Sequence, residues 1–262
     1  VYVVIIGKYF SPIQVGFYHR AESINRLPII NVSEVINRVA FPLLAEIEDK
    51  EEQLKNVYKK ILKLKILIIA PVLLIIAALA EPFFRFLFTE KWLPAVPFFQ
   101  ILCWNGILIP INNYNLMVLK LKGRSDILLK IEFLKKIITV LVLVISFQFG
   151  LNGLLIGSVL LSIIYFFINA HYTNLFLGYP IWVQIKDLFP SIVIAIIAGI
   201  TVYAVDFWIK EIVGFDILRL IIGSVLGTVI FLFLANLFGF KLLMQLKSLL
   251  KEQKGFKFLI GN

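Results

Sequence analysis

Apolar runs of bilayer length recur along the whole chain, and no other feature restricts the fold as strongly. They cover residues 20–47, 61–80, 95–119 and 127–149, then continue from the FGLNG stretch to about residue 176, on to about residue 208, and from 217 to 238. At 1.5 Å per residue, about 20 residues cross a hydrocarbon layer some 30 Å thick. The composition agrees: 262 residues, 60% hydrophobic and 16% charged, with a mean hydropathy of +0.94, are too apolar for a soluble globular protein. Lipid offers no partners to backbone amides, so each span satisfies its own as a helix. The fold class expected is all-α: a polytopic transmembrane helical bundle of about seven spans plus the end of a truncated one.

The connections divide the chain further. Residues 1–10 read as the end of a truncated helix and SPIQVG as a turn, so residues 1–18 form a lead-in. Residues 19–240 form the bundle, and the basic, amphipathic residues 241–262 suit a membrane surface. The charged stretch 46–65 reads as a connection. EPFFRFLFTEKWLP reads as an interfacial loop, and Gly106 and Pro110 as breaks in the third span. KLKGRSD reads as a tight turn with Ser125 or Asp126 capping the next helix, and a longer loop is expected around Pro180 and Pro190. The chain starts inside an apolar run without an initiator Met or a signal peptide, which makes a fragment of a longer protein the expectation.

The span from Arg20 to Ile47 differs from the others because its polar residues share one face. At about 100° per residue, Arg20, Ser23, Arg26, Asn31, Glu34, Asn37 and Arg38 fall within about 140° of the circumference. Ile24, Ile29, Val32, Val35, Ile36, Val39 and Leu43 occupy the opposite face, with Leu27 at the stripe's edge. Charges at this depth are costly unless they face a partner or a wet cavity, so the stripe is the leading candidate site.

A net charge of +10 would suggest nucleic acid in a soluble chain. Here the positions of the basic residues explain it. If the spans alternate, lysines 50–65, the 120–136 group, Lys186 and the tail lysines share one side. Only Arg85, Lys91, Lys210 and Arg219 lie on the other. The positive-inside rule makes the first side cytoplasmic, so the stripe helix enters from outside and the C-terminus is cytoplasmic. The lone Cys103 excludes an internal disulfide and reads as core. His19 and His171 are solitary, which argues against a metal site or a catalytic base, and nothing calls for a cofactor. Gly150, Gly153 and Gly157 read as close helix packing, because no strand precedes them.

The stretches GKYFSPIQVGFYHRAESINRLP, VAFPLLAEIEDKEEQLKNVYKKIL, EPFFRFLFTEKWLPAVPFFQIL and GRSDILLKIEFLKK resemble the second half of a bacterial polysaccharide exporter. The family is that of lipid-linked oligosaccharide flippases of the O-antigen and colanic-acid type, in the superfamily that also holds multidrug extruders. The resemblance implies two pseudo-symmetric bundles around a central cavity, of which this chain is the C-terminal one, with the stripe helix lining the cavity. It carries no catalytic motif and no specific glycan.

Joined to the stripe, the resemblance implies an undecaprenyl-pyrophosphate-linked oligosaccharide as cargo in the bacterial inner membrane, with membrane lipid and the N-terminal half of the same transporter as further partners and no nucleic acid. Arg20, Arg26 and Arg38 would contact the anion, since a guanidinium fork donates paired, charge-assisted bonds. Ser23, Asn31 and Asn37 would bind sugar or water. Glu34 is either a coupling site or the partner of Arg38 at i+4. Lys8, Asn112, Asn113 and Lys135 are further cavity candidates, each with a structural alternative; Glu132 and Lys136 read as a neutralising pair. Two other functions remain open. A drug extruder would hold an acidic, aromatic pocket, and a membrane enzyme of polysaccharide assembly, such as a polymerase or acyltransferase, would carry a large outer loop rich in His, Asp or Arg.

Overall fold

The computed structural model describes residues 7–239. Among them every regular element is helical: α1 (Pro12–Glu46), α2 (Glu51–Ala78), α3 (Ala80–Phe88), a 3₁₀ segment (Glu90–Ala95), α4 (Val96–Asn115), α5 (Met117–Leu121), α6 (Ser125–Phe147), α7 (Gly150–Leu177), α8 (Ile181–Ile209) and α9 (Asp216–Leu237). Six stretches are long and apolar enough to cross a membrane: α1, α2, residues 90–121, α7, α8 and α9. The all-α polytopic bundle is therefore present. The expected seventh span corresponds to α6, a helix of 23 residues. Lys130, Glu132, Lys135 and Lys136 in its first half set it apart from the six.

Several connections are shorter than the sequence suggested. SPIQVG is not a turn but the start of α1: the Ser11 hydroxyl accepts from the Gln14 amide, the Gln14 side chain accepts from the Ser11 amide, and Pro12 occupies the first turn. That is a capping box with a proline where its missing N–H costs nothing. The charged stretch 46–65 is a connection only as far as Lys50, beyond which it is the first turns of α2. EPFFRFLFTEKWLP folds into α3 and the 3₁₀ segment. α4 runs through Gly106 and Pro110 to Asn115, and Pro190 lies inside α8. Helices surrounded by other helices tolerate proline because their neighbours supply the missing contacts. Arg124, not Ser125 or Asp126, holds the cap position of α6. Asp126 instead accepts from Arg124 at 2.9–3.0 Å, and that hydrogen-bonded guanidinium holds its carboxyl down at about 2. The tail 241–262 lies outside the described residues.

α2 is the axis of the bundle, with fifteen buried residues, and it packs against α1, α4 and α8. The chain ends of the helices gather at two poles. At one, Tyr9 and Phe10 meet Phe147 edge-on, Phe17 meets Trp92, and Arg85 reaches Asp216 at 3.4 Å. At the other, Lys122 donates to the Glu48 carbonyl at 2.9 Å and Lys63 pairs with Asp187 at 2.8 Å. α6 runs from the second pole to the first, so it crosses the bundle like its neighbours.

Close approach is set by small residues. A Cβ on Gly106 would meet Asn25 Oδ1 and Ile29 Cδ1 at 2.8 Å and Leu73 Cδ1 at 2.9 Å, so α4 lies directly against α1 and α2. Gly153 and Gly157 press on Phe149 and Ser146, as packing glycines should. Gly150 does not: it has open space around it and a φ of +68°, so it makes the corner between α6 and α7. Cys103 is buried and free.

Candidate functional site

The buried face of α1 consists of Tyr18, Ala21, Asn25, Ile29, Ala40 and Leu44. The polar stripe lies on the other side, where Arg20, Ser23, Arg26, Asn31, Glu34 and Arg38 are exposed on the surface of the bundle and Asn37 is half-buried. Between α1, α4 and α7 opens a cleft of about 530 Å³ lined by Tyr18, Glu22, Asn25, Arg26, Ile29, Ile30, Glu34, Leu102, Asn105, Ile109, Asn113 and Ser158. It brings together Arg26, Glu34 and Asn113 from the expected set. Glu22, Asn25, Asn105 and Ser158 join them from positions that the stripe did not mark.

A second recess of about 210 Å³ lies between α4, α6 and α7, lined by Asn112, Asn113, Leu116, Glu132, Lys135, Lys136, Thr139, Tyr165 and Asn169. Asn113 belongs to both, so the two hollows adjoin. Lys135 is buried with its ammonium 3.1 Å from Glu132 Oε1 and 5.2 Å from the Tyr165 ring. Glu132 therefore pairs with Lys135 at i+3, not with Lys136 at i+4 as expected, because Lys135 points inward while Lys136 is exposed.

Most stripe residues, including the two in the cleft, have partners of their own. The Arg20 guanidinium rests on the rings of Phe88 and Trp92, at 4.7 and 5.1 Å. Arg26 stands 3.9 Å from Glu22 and is 61% exposed, and Arg38 stands 3.6 Å from Glu34. Asn37 accepts from the buried Lys65 at 2.6 Å. Ser23 and Asn31 lie on the open face outside the cleft lining. Lys8 sits over Tyr9 near Phe147, at 5.5 Å, and lines neither hollow.

Behind the hollows runs a network of buried amides and hydroxyls. Ser162 Oγ donates to Asn105 Oδ1, and Asn112 Nδ2 donates to the Ser162 carbonyl at 2.9 Å. Asn169 Nδ2 donates to Asn112 and Thr173 Oγ1 to the Asn115 carbonyl, each at 3.2 Å. Asn115 Nδ2 donates to Gln184 Oε1 at 3.1 Å while its Oδ1 accepts from Tyr58 at 2.9 Å. Asn112 thus lines the recess and also ties α4 to α7. In a low-dielectric interior such satisfied networks fix helix register. Two carbonyl oxygens in the walls lack partners among the described residues: Asn25 Oδ1 in the larger cleft and Asn169 Oδ1 in the recess. Their amide nitrogens are held by the Leu102 and Asn112 oxygens, and both carbonyl oxygens are buried in the packing, Asn25 Oδ1 against Gly106.

A polytopic membrane bundle with a polar cleft along one uncovered helix face is the class that these features define. Comparison with known proteins narrows it. Residues 1–97 match a family model described as "Polysaccharide biosynthesis protein". The chain is 30% identical over 125 residues to the teichuronic acid biosynthesis protein TuaB of Bacillus subtilis (strain 168), covering 48% of this chain and 26% of that protein. It is 29% identical over 255 residues to an uncharacterized membrane protein in the cps region of Klebsiella pneumoniae, covering 95% and 51%. With the lipopolysaccharide biosynthesis protein WzxC of Escherichia coli (strain K12) it shares 32% identity over 150 residues, covering 57% and 30%. The chain spans about half or less of the length of these relatives. No solved structure matches it. Together the matches make this multi-pass membrane chain similar to polysaccharide biosynthesis proteins.

Proposed function

We propose that this chain is the C-terminal bundle of an exporter that flips undecaprenyl-pyrophosphate-linked oligosaccharide repeat units across the bacterial inner membrane by alternating access. The carrying observation is the polar cleft of about 530 Å³ beside α1, on a face that no other described helix covers. A headgroup rich in hydroxyls and charge cannot cross hydrocarbon unaided, since each unsatisfied polar group there costs several kcal/mol. A groove with amides, a hydroxyl, a guanidinium and carboxylates replaces the lost water. The N-terminal half would supply the opposite wall and the lipid its tail environment, and Glu34 is the carboxylate placed to sense a coupling ion. The pole with Lys55, Lys63, Lys122 and Arg124 would face the cytoplasm, which puts the C-terminus there too.

The test uses cells carrying the full-length protein with Asn113→Trp, an exposed position shared by both hollows. Lipid-linked repeat unit should accumulate on the inner leaflet while surface polymer falls, with the protein at its normal level. Unchanged polymer rejects the cleft as the route. Repeat unit that reaches the outer leaflet but stays unpolymerised points to an assembly enzyme instead.

A further inference from the structure

We propose that the anionic group of the cargo binds not on the arginine stripe but in the Lys135–Lys136 recess between α4, α6 and α7. The larger cleft beside α1 then takes the neutral, hydroxyl-rich part. This rests on the exporter reading given above and deepens it.

The argument starts from which cations are free. Each arginine of the stripe is already engaged: Arg20 with two aromatic rings, Arg26 with Glu22 and Arg38 with Glu34. The larger cleft carries two carboxylates, Glu22 and Glu34, to one guanidinium, Arg26. An anion entering it meets repulsion. The recess has the opposite balance, with two ammonium groups to one carboxylate. Glu132 is taken up by Lys135 at 3.1 Å, and Lys136 has no ion-pair or hydrogen-bond partner among the described residues. A compact ammonium with three donors suits a phosphoryl oxygen or a sugar carboxylate equally well.

The walls support the same division. Asn169 is fully buried behind the recess, and its nitrogen donates to Asn112, which fixes the wall against which the lysines stand. In the larger cleft Asn105 and Ser158 supply the uncharged polar groups. A cargo with one anionic end and a run of hydroxyls would lie across Asn113 with its charge on the lysine side.

The experiment titrates purified full-length protein with geranyl pyrophosphate and, separately, with sodium glucuronate, the two arms separating a phosphoryl from a sugar carboxylate. Lys136→Gln should weaken one of them by about tenfold or more, as expected for a lost charge-assisted bond. Lys136→Arg should stay within about threefold of wild type, and so should Arg26→Gln. Which probe responds identifies the anion. Loss of binding in Arg26→Gln with Lys136→Gln unaffected overturns the assignment, as does wild-type protein that binds neither probe. The exporter reading fails by a different readout, normal surface polymer in cells that lack the protein.

Discussion

The ammonium of Lys65 in the middle of α2 donates to Asn37 Oδ1 on α1 at 2.6 Å and lies 4.1 Å from the centroid of the Tyr114 ring. Among the described residues no carboxylate approaches it within ion-pair distance. A buried cation held by an amide and a ring is worth more to register than to stability, because removing it also removes the cost of burying it. Asn37→Ala should therefore destabilise by about 2–3 kcal/mol, leaving the charge with only the ring. Lys65→Met should be close to neutral, and the double variant should resemble Lys65→Met alone. Thermal unfolding of the full-length protein in detergent checks the order; Lys65→Met as the more damaging change would refute it.

A second buried cation has the opposite character. Arg219 donates through Nε and Nη2 to both oxygens of Asp206 at 2.9 and 2.7 Å, and through Nη1 to Asp216 at 3.1 Å. Asp216 also receives Arg85, which pairs with Glu81 at 2.7 Å. This cluster clamps α3, α8 and α9 together at one pole. Asp206→Leu should cost about 3–5 kcal/mol by stranding a guanidinium, whereas Asp206→Leu with Arg219→Leu should recover much of that loss. A double variant as unstable as the single one would count against the pairing as the cause.

The helices and their order were legible because hydrophobic length is a strong signal and the chain has little else. The stripe on α1 was legible too, since angular position depends only on spacing. What could not be read was which side of each residue its neighbours would occupy. Asn25 lies between Ser23 and Arg26 in sequence but faces inward to the Leu102 carbonyl. Asn105 and Ser158 are isolated polar residues in apolar helices, and only the packing of α4 on α7 brings them together. Lys135 and Lys136 are adjacent in sequence with opposite fates, the first buried and the second exposed, and which of two consecutive lysines turns inward depends on where α4 and α7 pack.

Gly106 gives a steric test of that packing. Any side chain there must displace Asn25, Ile29 or Leu73 from contact between α1, α4 and α2. Gly106→Ala should cost about 1–3 kcal/mol, the usual range for overpacking. Asn25→Ala in the same protein should relieve part of it by removing the nearest polar atom. Equal costs of Gly106→Ala in both backgrounds would show that Asn25 is not the obstacle.

Arg20 separates a binding role from an anchoring one. Its guanidinium stacks on Phe88 and Trp92, and Trp92 in turn meets Phe17 edge-on at 5.8 Å and Phe88 at 6.3 Å. The start of α1 is thereby fastened to the segment that joins α3 to α4, with the arginine as the central tie. A cation over aromatic faces at an exposed site contributes about 0.5–1 kcal/mol and more as it is desolvated. Arg20→Ala should therefore lower stability by about 1 kcal/mol, and Trp92→Ala should have less effect in that background than in wild type, because the shared contact is already gone. If the guanidinium only anchors, Arg20→Ala leaves the affinity for geranyl pyrophosphate within about threefold of wild type. A loss of affinity without a loss of stability would return Arg20 to the anion site.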